Sequence, residues 1–441
     1  MPRNEKNKKW FIVMAAVILC FAFVGTAWAG TGWGERQKVL ASDGASNDNF
    51  GLSVSISGDY AIAGSMYNDD YGADSGSAYI LHRDGETWLQ QQKLLSSDGA
   101  VADRFGTSVA ISGDYVIVGA SEDDDAGGNS GSAYIFKRDG EIWIEQAKLL
   151  ASDGGAGDCF GWSVSISGDY AIVGAPFDDN FGAASSGSAY IFHRSGETWP
   201  QQAKLLNINP EAGDEFGGSV SISGDYAIVG AKYDDDQASG AGAACVFRWT
   251  GASWAQLIKL YASDGTADDE FGISVHINGD LAIVGAYWDN SKGNASGSAY
   301  IYKRAGAIWS EQQKLIASEG AAGDLFGISV SISGDYAIVG AQYDDEKGSD
   351  CGSAYIFGWN GRSWIEQQEL IASDGAASDY FGSVSISGDN AIVGAYMDDD
   401  RGSASGSGYV FVRCPIADLS NDCFVDFVDL SIMAAQWLQG L

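Results

Sequence analysis

The amino-acid sequence predicts an all-β fold: a seven-bladed β-propeller of four-stranded antiparallel blades, closed by the N-terminal strand, with a short loop-and-helix tail. Three observations lead to this prediction. Seven Phe-Gly dipeptides form a regular series from Phe50 to Phe381, at spacings of 55 or 56 residues. Each repeat contains four short runs rich in Val, Ile, Tyr, Phe and Trp, which glycine turns separate. The fourth run is missing after the last Phe-Gly, and a matching run precedes the first one.

The strands of a blade can be assigned from one repeat, residues 160–215. The run SVSIS alternates polar and apolar residues, and a tight Ser-Gly-Asp turn joins it to YAIVGA. An acidic, glycine-rich loop leads to GSAYIF, and an Arg-x-Gly turn leads to a fourth run that begins at Trp and is rich in Gln. No stretch between residues 31 and 413 shows a sustained helical period. Four antiparallel strands repeated radially form a propeller blade.

The distribution of the fourth strand favours a closed ring over a β-solenoid or a string of separate sheets. That strand follows only six of the blades, where Trp88, Trp143, Trp199, Trp254, Trp309 and Trp364 mark it. The seventh copy, WGERQKVLASDG at residues 33–44, has no blade before it. Residues 33–40 would complete the blade that begins at Phe381, which pairs the two termini and removes two free sheet edges.

The N-terminal segment is expected to lie outside the fold. A basic stretch precedes an apolar run at 10–25, and Ala27-Trp28-Ala29 resembles a cleavage site, so residues 1–29 are predicted to be a secretory signal peptide. An uncleaved membrane anchor is the alternative. The predicted organisation is a signal peptide at 1–29, the propeller at 30–413 and a tail at 414–441, in a secreted, extracellular or cell-surface protein.

The charge of the chain excludes several kinds of partner. The sequence has 25 Lys and Arg against 59 Asp and Glu, a net charge of −34. This balance argues against nucleic acid and against an anionic membrane surface as partners. No later run is apolar enough for membrane insertion after signal cleavage. An oxidising compartment permits disulfides, and we expect Cys414 and Cys423 to form one. The other three cysteines outside the predicted signal peptide are expected to be buried or partly buried thiols.

The motif FG-x-SVSISGDYAIVGA resembles the FG-GAP repeat, the blade unit of integrin α-chain propellers and of many bacterial surface proteins. The resemblance covers residues 33–413. It implies a seven-bladed propeller with a role in cell adhesion or ligand binding outside the cell. Integrin-type blades often hold calcium in an Asp-x-Asp-x-Asp-Gly loop between the first two strands. Here that connection is only Ser-Gly-Asp, which is too short to surround a calcium ion.

The antiparallel topology predicts one acidic face and one mixed face. The loops before strand 1 and between strands 2 and 3 share the acidic end, while Arg83, Arg138, Arg194 and Arg304 belong to the other end. An Asp stands two residues before every Phe-Gly: Asp48, Asp103, Asp158, Asp214, Asp269, Asp324 and Asp379. One interpretation is that these carboxylates accept backbone hydrogen bonds in turns. The other is that they converge with the Asp pair of the 2–3 loop on Ca²⁺ or a ligand.

Sequence gives little support for catalysis. Outside the predicted signal peptide the histidines are His82, His193 and His276, and no Ser, Cys or carboxylate pair stands out from its sister repeats. We therefore expect a non-catalytic binding protein that recognises an extracellular glycan or surface protein. The alternative is a carbohydrate-active enzyme, or an accessory module of polysaccharide degradation, that uses the acidic face.

The tail contains a second pattern, DLSNDCFVDFVD at residues 418–429, which fits the twelve-position EF-hand calcium loop. The predicted ligands are Asp418, Ser420, Asp422, the Phe424 carbonyl, Asp426 and Asp429. The segment resembles one half of a dockerin type I module, which implies Ca²⁺ binding and a cohesin-like partner. Cys423 departs from that pattern, since Gly is usual at position 6, and only one of the two dockerin segments is present. A capping helix with a solvated acidic loop is the alternative.

Overall fold

The computed structural model describes residues 32–415 and 428–432. The chain divides into two compact units, Glu35–Val412 and a second one that combines Met1–Gly34 with Arg413–Leu441. The described part contains 28 strands in seven four-stranded sheets. The predicted signal peptide, residues 1–29, lies outside the described residues.

The first strand, β1 (Trp33–Val39), precedes the first complete blade. Blade 1 consists of β2 (Val54–Ser57), β3 (Tyr60–Ser65), β4 (Ser77–Asp84) and β5 (Thr87–Leu94). Blade 2 consists of β6 (Phe105–Ser112), β7 (Tyr115–Ala120), β8 (Ser132–Asp139) and β9 (Ile142–Leu149). Blade 3 consists of β10 (Ser163–Ser167), β11 (Tyr170–Ala175), β12 (Ser188–His193) and β13 (Gln201–Leu205).

The remaining blades repeat this order. Blade 4 consists of β14 (Ser219–Ser223), β15 (Tyr226–Ala231), β16 (Ala243–Trp249) and β17 (Trp254–Leu260). Blade 5 consists of β18 (Val275–Asn278), β19 (Leu281–Ala286), β20 (Ser298–Ala305) and β21 (Ile308–Leu315). Blade 6 consists of β22 (Ser329–Ser333), β23 (Tyr336–Ala341), β24 (Ser353–Trp359) and β25 (Trp364–Leu370). Blade 7 contributes β26 (Phe381–Ser387), β27 (Asn390–Ala395) and β28 (Ser407–Arg413).

The predicted ring closure is confirmed. Blade 7 has the strand order β1-β28-β27-β26, so the N-terminal strand supplies its fourth strand. A side-chain contact joins blade 7 to blade 1 at this closure. The Gln37 side chain donates to the Trp88 carbonyl at 2.7 Å and accepts from the Trp88 N–H at 2.8 Å. The N-terminal strand therefore covers the edge of β28 that would otherwise be free, and blade 7 has four strands like its sister blades.

The hydrophobic core lies between the blades. One cluster combines Ile135 and Leu149 of blade 2 with Phe160 and Val164 of blade 3. Strand 2 of each blade is buried over nearly its whole length, because both of its faces pack against neighbouring blades. The Phe of each Phe-Gly is fully buried, and Phe160 meets the Tyr190 ring edge to face at 5.4 Å.

The glycine of each Phe-Gly permits a close approach between adjacent blades. Gly106 of blade 2 has a φ of 97°, and a Cβ added there would collide with the Ser77 carbonyl of blade 1. A Cβ added to Gly64 would in turn collide with the Gly106 carbonyl. The neighbouring backbones also pair directly, since the Phe105 N–H donates to the Ser75 carbonyl at 3.0 Å. Glycine is thus required on both sides of the contact.

A β-bulge in the outer hairpin explains the Gln-rich fourth strands. In blade 1 the 3–4 pairing shifts between Ile80 and Leu81, which leaves Gln91 unpaired in the ladder. Its side-chain oxygen accepts from the Trp143 indole of blade 2 at 3.2 Å, and Gln92 makes two bonds to the Trp143 backbone. The same Gln–Trp contact joins blade 5 to blade 6 at Trp364. These glutamines therefore link successive blades, a role that the sequence did not reveal.

The second unit is described only in part. The Cys414 N–H donates to the Gly32 carbonyl at 2.8 Å, and residues 428–432 are helical. Asp429, the predicted ligand at position 12, lies in this helical stretch and is buried. The other predicted calcium ligands, at 418–426, and Cys423 lie outside the described residues. Among the described residues, no helix has the length and apolar character needed to cross a membrane.

We expect Gly106→Ala to destabilise the propeller by about 3 kcal/mol or more, because the added methyl meets backbone atoms and a φ of 97° is strained for Ala. Gly113→Ala is the matched control. Gly113 also has a positive φ, 58°, but a Cβ there meets nothing within 4 Å, so about 1 kcal/mol is expected. Urea-induced unfolding of both variants measures the difference, and equal losses would contradict the close-approach argument.

Candidate functional site

The 2–3 loops and the loops that lead into strand 1 meet at one end of the blades. The Arg104 N–H donates to the Asp74 carbonyl at 3.1 Å, which joins the loop of blade 1 to the start of blade 2. Both residues have a positive φ of 56°. Such contacts recur around the ring, so this end presents a continuous surface formed by backbone-paired loops.

The side chains that border the two inner strands at this end form a ring, here called the loop-face rim. Its members come from the residues on either side of each Phe-Gly and from the first residues after strand 2. In blades 1 and 2, Arg104 lies over the Tyr67 ring at 5.2 Å and pairs with Glu122 at 2.6 Å. In blade 3, the Trp162 and Phe177 rings meet edge to face at 5.6 Å.

The rim continues through blades 4 and 5 with charged and aromatic side chains. Lys232 pairs with Glu215 at 3.1 Å and lies over the Tyr233 ring at 4.6 Å. In blade 5 the Tyr287 hydroxyl donates to Glu270 at 2.9 Å. Burial raises the pKa of Glu270. Trp288 remains 41% exposed beside this pair, so an aromatic face is open to solvent.

Blades 6 and 7 provide an arc of tyrosines. Tyr380 stacks on Tyr396 with ring centroids 5.6 Å apart and also meets Tyr343 edge to face at 5.0 Å. All three are partly exposed. Burial raises the pKa of Tyr396 to about 12, with the neighbouring tyrosines acting in the same direction. The rim residues differ from blade to blade while the strands barely change, which is typical of a surface that recognises a ligand.

The seven aspartates before Phe-Gly have a shared structural contact. In every blade the carboxylate accepts a hydrogen bond from the backbone N–H three residues earlier, for example Ala100 to Asp103 at 2.6 Å. All seven are buried, and burial raises the pKa of each one, to about 6 for Asp214. Asp103 also lies near Asp123 of the 2–3 loop. These hydrogen bonds support the interpretation that the aspartates stabilise turns. Calcium binding by the same aspartates stays a prediction.

In six blades, a lysine ammonium lies among several aspartate carboxylates. In blade 2, the Lys148 ammonium lies 2.8 Å from Asp98, 2.9 Å from Asp123 and 2.6 Å from Asp125, and 5.1 Å from the centroid of the Tyr134 ring. Burial opposes its charge, yet the hydrogen bonds that Lys148 donates to these carboxylates raise its pKa above the ordinary value. The equivalent lysines are Lys93, Lys204, Lys259, Lys314 and, from β1, Lys38.

Blade 6 departs from this arrangement. Glu369 stands where the sister blades have lysine, so an anion replaces the cation. Oxygens of Asp344, Glu346 and Glu369 all lie within 4.8 Å of one another, the single such group of metal-ligating side chains found among residues 32–415 and 428–432. Burial and the neighbouring Glu346 raise the pKa of Glu369 to about 7. The sequence shows this exchange, since QQEL replaces QQKL, but it does not show that the lysine of the sister blades lies among carboxylates.

The innermost strands line a central cavity of about 350 Å³. Five serines facing it each accept the backbone N–H of the next blade's first strand at 3.1–3.2 Å: Ser55, Ser165, Ser221, Ser331 and Ser385. In blade 5 the equivalent residue is His276, whose Nδ1 accepts from the Ile332 N–H at 3.0 Å. Burial lowers the pKa of His276 to about 4. The neutral imidazole is therefore the form that accepts this hydrogen bond, whereas blade 2 has Ala110 at the equivalent position.

The opposite face has simpler chemistry. Its arginines pair with the aspartates of the Ser-Gly-Asp turns: Arg83 with Asp59, Arg138 with Asp114, Arg194 with Asp169 and Arg304 with Asp280. These exposed pairs are expected to contribute little to stability. The histidines His82 and His193 stack or tilt against Tyr60 and Tyr170 at this end. Cys159, Cys245 and Cys351 are buried free thiols, whereas the Cys414–Cys423 disulfide stays a prediction.

Comparison with known proteins gives one family. The model of the FG-GAP repeat matches seven segments: 33–81, 88–136, 143–192, 199–247, 254–302, 309–357 and 364–411. Each segment begins at the Trp of a fourth strand, so the first one starts at the strand that closes the ring. No curated protein matches the chain.

His276→Ser is expected to make the propeller less sensitive to acid. Because the folded-state pKa of about 4 lies below the ordinary 6.5, protonation of His276 favours the unfolded chain. Its contribution to stability is therefore present above pH 6.5 and lost as the pH falls towards 4. Between about pH 7.5 and about pH 4.5 the parent chain should lose about 2 kcal/mol more than the variant. Urea midpoints at the two pH values measure this, and parallel losses would refute it.

Proposed function

This chain belongs to the FG-GAP repeat family, and on that premise we propose that it is a secreted or cell-surface, non-catalytic binding protein that recognises an extracellular glycan through the loop-face rim. FG-GAP propellers are typical of extracellular proteins, and the fold is consistent with a ligand-binding or adhesion module. A surface protein is the other ligand class expected from the sequence.

The observation behind this proposal is the aromatic arc of the rim. Tyr343, Tyr380 and Tyr396 form a continuous, partly exposed stack, and Trp162 and Trp288 add two rings that are each 41% exposed. Aromatic faces bury a large area at a low entropic cost, and they suit the C–H faces of sugar rings. Arg104 and Glu122 supply hydrogen-bonding groups beside them, and such groups fix the orientation of a polar ligand.

We also propose that the protein has no catalytic role. The described carboxylates that lie close together are mostly occupied by lysine or by backbone N–H groups, as Lys148 and Asp103 show. Most glycoside hydrolases need two available carboxyl groups that flank the bond to be cleaved. Release of reducing ends or of unsaturated products from a bound polysaccharide would favour the alternative, a carbohydrate-active enzyme or accessory module.

The tail is proposed to be a calcium-dependent attachment segment. Asp418, Ser420, Asp422, Phe424, Asp426 and Asp429 would supply the oxygen ligands. A Cys414–Cys423 disulfide would hold the turn that Gly holds in the usual loop. A cohesin-like partner is the expected target, with a capping helix as the alternative.

We expect Tyr380→Ala to weaken glycan binding about tenfold, because it removes the central ring of the tyrosine stack. Tyr71→Ala is the matched control, since Tyr71 belongs to the 2–3 loop of blade 1 and is 50% exposed outside the stack. A glycan array probed with the full chain identifies the ligand, and titration of the best glycan compares the variants. Equal weakening by both substitutions would contradict recognition at the rim.

For the tail, we expect the Asp418→Ala, Asp422→Ala double variant to lose calcium-induced helicity. Calcium should increase the circular dichroism signal at 222 nm in the parent chain, whose described residues are helical only at 428–432. The change is measurable because the rest of the described chain is strand and turn. An identical response in parent and variant would favour the capping-helix alternative.

A further inference from the structure

Blade 6 breaks a charge pattern that the other six blades keep. In those blades an ammonium lies among the carboxylates at the loop end of strand 4, as Lys314 does 2.7 Å from Asp264 and 2.8 Å from Asp289. In blade 7 Lys38 is 2.9 Å from Asp374, 2.8 Å from Asp398 and 2.7 Å from Asp400. The site in each sister blade is therefore shaped around a bound positive charge.

In blade 6 the same place holds a third carboxylate. Glu369 lies opposite Tyr355 in the 3–4 ladder, in the register that Lys314 and Tyr300 share in blade 5. The Tyr355 hydroxyl lies 2.8 Å from Asp344 and 3.2 Å from Glu369. Glu346 replaces the Asp found in blades 1, 2, 4 and 7, and its longer side chain reaches the group.

Within the described part of the chain, no ion pair compensates these carboxylates. The nearest lysine in sequence, Lys347, donates instead to the Ala372 carbonyl at 2.7 Å. Asp344 is buried and Glu346 is exposed, so the group opens to solvent on one side. Three carboxylates this close repel one another unless a cation or a shared proton lies between them.

A neighbouring hydroxyl also points to a ligand. The Ser353 side chain is fully buried beside Glu369, and its oxygen makes no well-formed hydrogen bond in the described structure. The equivalent serines of blades 1, 5 and 7 are also unpaired, beside a lysine cluster. Ser353 therefore supplies a further oxygen, and the exchange of lysine for Glu369 is what distinguishes blade 6.

We propose that blade 6 binds a divalent cation of calcium's size between Asp344, Glu346 and Glu369, in the place that a lysine ammonium takes in the sister blades. Carboxylate and hydroxyl oxygens are hard ligands that suit Ca²⁺. Two oxygens on opposite sides of a calcium ion lie about 5 Å apart, since each Ca–O distance is about 2.4 Å. The oxygens of this group all lie within 4.8 Å of one another, so one ion of this size can contact all three side chains.

The test compares the parent with Glu369→Lys, in full-length chains that both carry Asp418→Ala and Asp422→Ala to remove any calcium binding by the tail. Glu369→Lys rebuilds the sister-blade arrangement, so it should fold. Calorimetric titration with CaCl₂ should show one more calcium bound by the parent than by Glu369→Lys. Calcium should also raise the thermal midpoint of the parent alone. Equal calcium uptake by the two chains would overturn the proposal.

A second variant protects the test against misfolding. Glu346→Gln with Glu369→Gln keeps the side-chain shapes and removes two charges, and it should lose the same calcium ion. Asp335→Asn is the matched control, because it removes a carboxylate at the opposite end of blade 6 and should leave calcium uptake unchanged. Calcium bound undiminished by the double Gln variant would refute the site. Titration with MgCl₂ checks the ion, and preference for magnesium would overturn the assignment to calcium.

Discussion

The structure depends on the backbone contact that each Phe-Gly makes between adjacent blades. Gly106 and Gly64 approach so closely that neither can carry a Cβ, and the fully buried Phe105 packs beside them. Because this contact recurs in every blade, it fixes the distance between neighbouring sheets and therefore the width of the central cavity. The loops at the rim are positioned by the same contact, since the backbone pairs Ser75 with Phe105 at its edge.

Two further sets of contacts hold the blades together, one near the axis of the ring and one at its outside. Near the axis, serine hydroxyls satisfy the N–H groups of the next innermost strand, which would otherwise be exposed sheet-edge donors. At the outside, Gln92 bonds to the Trp143 backbone of the next blade. The contacts are polar and directional, so they fix the rotation between blades while the core between them supplies most of the hydrophobic stabilisation.

Many of the carboxylates that give the chain its large negative charge lie beside a cationic side chain. In six blades the 2–3 loop carboxylates surround a lysine, and on the opposite face arginines pair with the turn aspartates. Much of the acid is thus part of the structure rather than a free binding surface. This balance makes the two departures, Glu369 in blade 6 and the tyrosine arc of blades 6 and 7, the places where the ring differs most from its own repeat.

The sequence by itself determined the blade number, the four strands of each blade and the closure by β1, because these follow from local alternation, turn residues and the count of fourth strands. It left two interpretations for Asp103 and its six equivalents. A carboxylate that accepts hydrogen bonds in a turn and a carboxylate that binds a metal can have the same local sequence. Only the tertiary structure decided which side chains meet across blades. Gln92 and Trp143 are 51 residues apart, and Lys148 draws its carboxylate partners from two separate loops. The rim arises in the same way, because it combines loops of different blades that the ring brings together. The carboxylate group of blade 6 forms within one blade, where the pairing of strands 3 and 4 places Glu369 beside the 2–3 loop.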